Sequence, residues 1–161
     1  MWSPEYRRIG DDGGGWPGTL TDVAAGIDHL RELDANHSLD LDRVVLVGHS
    51  AGGHLALWAA ARHGLDPSDS IRGTDPLPIR GVVSLAGIAD LGAYVSEEGC
   101  GASIPELIGG HPSDLPERVR RTSPSAMLPL GVPQIMVSGS RDTIVPPDHA
   151  ADYARTAQAH G

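Results

Sequence analysis

The 161-residue chain has no phenylalanine, a single cysteine and no basic cluster beyond "RVRR" at Arg118 to Arg121. Each shortage excludes something. One thiol, Cys100, can form no internal disulfide and offers no CxxC or similar metal-ligand spacing; within "EEGCGAS" it reads as a free surface thiol. A formal net charge of −9 with so little clustered positive charge gives no surface for tracking phosphates, which argues against a nucleic-acid partner. No apolar run reaches the length of a membrane span, and "MWSPEYRRIG" has no apolar signal core. A membrane is therefore not an expected partner, and a cytoplasmic location is the default expectation. Neither HExxH nor an Asp-rich calcium loop occurs, so no metal or other cofactor is expected, and an unchanged melting temperature with chelator would confirm it.

What is present points to a globular protein rich in turns. Hydrophobic residues make up 40% of the chain, alongside 21 glycines and 13 prolines, and the length suits one domain spanning residues 1–161. "WSPEYRR" carries strand formers, but Pro4 cannot donate to a ladder, so a strand there should begin near Glu5. "DDGGGWPG" is a loop by composition. Leu20, Val23, Ala24, Ile27, Leu30 and Leu33 then recur at helical spacing, with Thr19 and Asp22 placed as a capping pair and an end near Asp34. "RVVLVG" (Arg43 to Gly48) is a short β-branched run, apolar in both directions, as a parallel strand covered by helices on both faces should be. "IRGVVSLAG" and "PQIMVSG" are further strands, and a last helix runs from about Pro147 to His160. Residues 88–129 between them are long and rich in glycine and proline, with room for short helical pieces only; a lid-like insertion is expected. Strands alternating with helices give an α/β fold with a mainly parallel sheet.

Two motifs carry chemistry. "GHSAG", Gly48 to Gly52, matches G-x-S-x-G between a strand and a helix apolar nearly all round. Such a turn holds Ser50 in a strained conformation at the carboxyl end of the sheet, and side chains at the flanking glycines should collide with the adjoining strand and helix. The helix N-terminus places the Ala51 amide where it can donate to an oxygen that becomes negative during acyl transfer. A phosphate-cradling loop is not supported, because no GK[ST] follows. In "VSGSRDTIVPP" an apolar strand ends in a small-residue loop presenting Asp142 at the same carboxyl edge, where a carboxylate would orient a base or merely cap the following turn.

With these segments, and with "EYRRIGDDGGGWPGTLTDVAAGIDHL", "GVVSLAGIADL" and "SPSAMLPLGVPQIMVSGSRDTIVPP", the chain resembles the α/β-hydrolase fold. The resemblance is to the esterase, lipase and prolyl-oligopeptidase-like group that includes kynurenine formamidases and carboxylesterases. It implies Ser50 as nucleophile, Asp142 as triad acid and Ala51 as one oxyanion donor, acting on a small-molecule ester or amide through an acyl-enzyme.

The general base is the difficulty. In that family a histidine follows the acid beyond another helix and strand, whereas here the sequence closes with the helix. Among the eight histidines, His160 ends a helix that runs away from the active edge, roughly 20 Å long at 1.5 Å per residue. His63 is excluded likewise; His49 adjoins the serine and cannot easily reach back; His54 lies in a buried helix and reads as a packed or capping residue; His29 and His37 belong to the first helix and the loop after it. His149 and His111 remain as the weak candidates. By the same resemblance an HGG-type loop, donor of the second oxyanion N–H, is missing ahead of "WSPEYRR", as is a strand that should lie beside "VVLVG". The sequence thus reads as a partial hydrolase lacking the first strands and the last strand, nearly inactive by itself for lack of a base. The rival expectation is a non-catalytic binding or interaction module, self-associating through exposed strand edges.

Overall fold

A computed structural model describes residues 1–160. The chain begins without regular structure, then forms α1 (Gly18–Asp28) and α2 (Leu30–His37). Three short strands follow, β1 (Val45–His49), β2 (Gly81–Leu85) and β3 (Gln134–Val137), joined by α3 (Ala51–Ala61) and by α4 (Leu91–Tyr94), α5 (Ile104–Ile108) and α6 (Pro116–Thr122). The long α7 (Pro147–His160) closes the described chain. The strands lie in the order β1-β2-β3, all parallel, with Val45 beside Gly81 and Val82 beside Gln134. Parallel neighbours require crossovers, and the helices supply them.

Period-two alternation divides the sheet. Leu46, Val82 and Met136 point toward the helices and join Leu57, Ala60, Ala61, Leu130 and Tyr153 in the central core. A second cluster packs Leu20, Val23 and Ile27 of α1 on Leu55 and Trp58 of α3; a third gathers Ile88, Leu91, Ile104 and Ile108 around Val145. The opposite sheet face is bare. Val45, Val47, Ile135 and Val137 are 52%, 64%, 57% and 47% exposed, so the expectation of cover on both faces holds for one face among the described residues.

Two local expectations are corrected. No strand forms near Glu5: a strand needs a partner ladder, and the opening segment is tied to α1 instead. Trp2 Nε1 donates to Gly26 O at 2.9 Å, and the Arg7 guanidinium grips the Asp22 carboxylate through two bonds of 2.7 Å. The same contacts remove Thr19 and Asp22 from capping duty. Thr19 Oγ1 donates to Arg7 O and accepts from Gly15 N, and the expected single helix is divided into α1 and α2 at His29. Between the opening segment, α1, α2 and the outer edge of β1 lies a groove of about 830 Å³, lined by Tyr6, Val23, Ile27, Leu30, Val45 and Val47 among others. The remaining expectations for element type hold: α3 is buried from Gly53 to Ala61, residues 88–129 contain only short helical pieces, and Cys100 is an exposed free thiol.

Candidate active site

Ser50 stands between the last residue of β1 and the first of α3, with φ of 52° and ψ of −120°. A non-glycine residue rarely adopts a positive φ, and its persistence here needs surrounding structure that over-determines it. That structure is visible. Ser50 N–H donates to Leu85 O of β2 at 2.9 Å, and Ser50 O accepts the first helical bond from His54 N at 3.1 Å. The serine is therefore bonded into the sheet on one side and into α3 on the other. Ala51 is exposed at the helix start, where its N–H lies among those that α3 leaves unpaired.

The flanking glycines divide unequally. A β-carbon on Gly48 would overlap the Gly52 carbonyl and lie 2.7 Å from Gly53 N, so glycine is required there. Gly52 has nothing within 4 Å of its own β-carbon position, contrary to the sequence expectation, because it borders the groove beside β1. The close approach of α3 to β2 is made instead at Gly53, where a β-carbon would stand 2.8 Å from Gly87 Cα and Ser84 Oγ.

Asp142 sits in the loop after β3, on the same carboxyl edge as Ser50. The parallel register fixes this: His49, Leu85 and Val137 are neighbours at the strand ends, and Ala86 N–H donates to Val137 O at 2.7 Å. Its Oδ1 accepts from Ile144 N at 2.9 Å and Val145 N at 3.0 Å. These bonds anchor the carboxylate and leave Oδ2 as the oxygen able to meet a base. Asp142 thus caps the turn that follows it, and its carboxylate lies on the serine's edge of the sheet.

His54, His111 and His149 make their hydrogen bonds away from the serine. His54 is buried, with Nε2 at 2.8 Å from Thr122 O, and burial pushes its imidazole down to about 4 against the raising effect of that bond. His111 Nδ1 pairs with Ser113 Oγ at 2.8 Å in the exposed segment after α5. His149, in the first turn of α7, accepts from Ala89 N at 3.0 Å and Asp90 N at 3.3 Å through Nε2. None of the three is hydrogen-bonded to Ser50 or Asp142. One neighbour of the site has no sequence motif to reveal it. Tyr94 of α4 donates its hydroxyl to Ile144 O at 2.5 Å and packs edge-on against the His149 ring, with centroids 5.4 Å apart. Burial, the Cys100 thiol and the Asp142 charge raise the Tyr94 phenol above its usual value.

A parallel sheet whose strand ends in a positive-φ serine, followed by a buried helix, with an anchored carboxylate two strands along, defines the α/β-hydrolase fold. The chain belongs to the BD-FAE family, whose profile matches residues 1–156. Among solved structures, a truncated carbohydrate esterase from gut microbiota matches with a TM-score of 0.80 and 24% identity over 98% of this chain and 60% of that one. An acetyl ester-xyloside bifunctional hydrolase from Caldicellulosiruptor lactoaceticus matches with 0.75 and 24% over 98% and 56%. The bifunctional GH43-CE protein of Bacteroides eggerthii matches with 0.77 and 24% over 96% of this chain and 24% of that one. The chain therefore spans a quarter to three-fifths of these relatives, and the likeness at such identities establishes the fold. A search among curated proteins gave no match. Among the described residues no helix is long and apolar enough to cross a membrane, and no cluster of acidic, histidine and cysteine side chains is arranged to hold a metal ion.

Proposed function

We propose that this chain carries the nucleophile and acid of a serine hydrolase acting on carboxylic esters or amides through an acyl-enzyme on Ser50, with a carbohydrate ester as the favoured substrate class. The observation that carries the reading is the strained Ser50 backbone at the sheet's carboxyl edge, shared with the anchored Asp142. Strain maintained at a serine whose side chain caps no helix N–H is better explained by display of its hydroxyl than by local structure. The Ala51 amide is the oxyanion donor. Ester chemistry is favoured because the family and the carbohydrate-esterase neighbours point the same way.

A base for Ser50 is not among the histidine contacts described above, so slow chemistry is expected of the chain by itself. The experiment is labelling with a fluorophosphonate followed by intact-mass analysis, with S50A beside the wild type. One adduct on Ser50, formed slowly and without multiple turnovers of an aryl acetate, is the expected result. Labelling no faster than in S50A would overturn the proposal, and rapid turnover would show that a base is supplied within the chain.

A second reading is favoured by the bare sheet face and the open edge of β1: the fold serves as an interaction module that associates with itself.

A further inference from the structure

His149 is a half-buried side chain that the proposed chemistry does not use, and its contacts have a consistent logic. Its Nε2 faces two backbone donors, Ala89 N at 3.0 Å and Asp90 N at 3.3 Å. An imidazole nitrogen accepts only when it carries no proton, so the ring is neutral with its hydrogen on Nδ1. The segment it holds, at the exit of β2, is buried at Ile88 and Ala89. On its other side that segment is fixed by Ser125 N donating to Ala89 O at 2.9 Å and by Leu91 N donating to Ser123 Oγ at 3.0 Å. His149 is thus the tie from this segment to α7.

The tie continues to the acid loop. The His149 ring packs on Tyr94, Tyr94 donates to Ile144 O, and Ile144 N donates to Asp142 Oδ1. We propose that neutral His149 is a pH-sensitive latch that holds the Ala89–Asp90 backbone and, through Tyr94, positions the Asp142 loop, and that protonation of its ring opens both. The second proton would turn Nε2 into a donor facing two donors. Both bonds are then lost, and the buried Ala89 N–H is left without a partner. The charged groups facing the ring are Asp90, at the N-terminus of α4, and Asp152, one turn further along α7; both favour the protonated form, and Tyr94 is the remaining titratable neighbour. Burial outweighs the two carboxylates and keeps the imidazole below its usual value, so the latch is closed near neutrality. The consequence for Asp142 rests on reading that residue as the acid, whereas the latch itself is independent of any chemistry at Ser50.

The test is amide hydrogen exchange by NMR on the wild type, H149Q and H149A, at about pH 7 and about pH 5. Rates are normalised to intrinsic exchange, with Leu57 and Trp58 of α3 reporting global opening. Glutamine supplies an acceptor that does not titrate. Wild-type protection at Ala89 and Asp90 is expected to fall relative to α3 in step with protonation of the His149 ring, by about tenfold once the ring is fully protonated, the size set by losing an ordinary hydrogen bond. H149Q should keep its protection at both pH values and H149A should lack it at both. Constant wild-type protection, or an H149Q response equal to the wild type, would overturn the proposal. If H149Q does not fold, the wild-type imidazole ¹⁵N spectrum decides. Nε2 unprotonated near neutrality and titrating together with the Ala89 and Asp90 protection supports the latch, and Nε2 protonated near neutrality refutes it.

Discussion

Gly48 and Gly52 meet at the serine turn so closely that a β-carbon on Gly48 would overlap the carbonyl oxygen of Gly52, while Gly52 itself faces open space. The two glycines of one motif therefore answer to different forces. G48A should destabilise the fold by about 3 kcal/mol or more, because backbone atoms must move to admit the methyl group. G52A should instead be neutral or stabilising by up to about 1 kcal/mol, as a glycine-to-alanine change inside a helix. Urea denaturation of both variants checks this, and equal losses would contradict it.

The Asp142 anchor separates structure from charge. D142N retains an Oδ1 acceptor for Ile144 N and Val145 N, whereas D142A leaves both donors to water or unpaired. D142A should lose about 2 kcal/mol of stability and D142N less than about 1 kcal/mol. Because none of the three histidines described contacts Ser50 or Asp142, the slow labelling of Ser50 should be the same in D142N as in the wild type. Unfolding curves and labelling rates on the same three proteins provide the comparison.

Acid sensitivity follows from His54. Its imidazole is held near 4 by burial, below the unfolded value of about 6.5, so at intermediate pH the unfolded chain binds the extra proton. The corresponding stability is fully present above about pH 6.5 and is lost progressively as pH falls toward 4, about 3 kcal/mol in all. His149, lowered by burial, adds a contribution of the same sign. Denaturant midpoints should therefore drop between about pH 7 and about pH 5, and H54Q should flatten most of that slope. A midpoint independent of pH in this window would show that His54 is not buried neutral.

Self-association is the expected behaviour of the bare sheet face. Val47 and Ile135 are the most exposed of its side chains at 64% and 57%, and their neighbours Val45 and Val137 extend the patch. Light scattering after size exclusion should show mass rising with concentration for the wild type, and V47E/I135E should shift it to the monomer without changing the helical circular dichroism. A wild-type monomer at every concentration would remove the interaction-module reading.

Much of the site was legible because it depends on short-range constraints. The strand-to-helix spacing around Ser50 needs only a β-branched run, a glycine and an apolar helix, and all three lie within residues 44 to 61. Asp142 was legible as a residue in a small-residue loop after a strand, and the parallel register then set it on the serine's edge. The role of His149 was not legible. Its partners, Ala89, Asp90 and Tyr94, lie 60, 59 and 55 positions away in sequence, and no local pattern marks a backbone N–H as a histidine's partner. The opening segment was misread for a related reason: Glu5 to Arg8 have strand-forming neighbours, but a strand exists only where a second one pairs with it.

The sequence by itself determined the three strands, α3 and α7 and their order, since hydrophobic period, proline and glycine act within a few residues. It also determined that Ser50 would stand in a bend, because only Gly48 lets the turn close. Tertiary structure alone decided which face of the sheet is covered, which glycine beside the serine is indispensable, and which backbone groups His54 and His149 meet. Those outcomes depend on which distant groups arrive at the same place, and burial and hydrogen-bond satisfaction are settled only after they have.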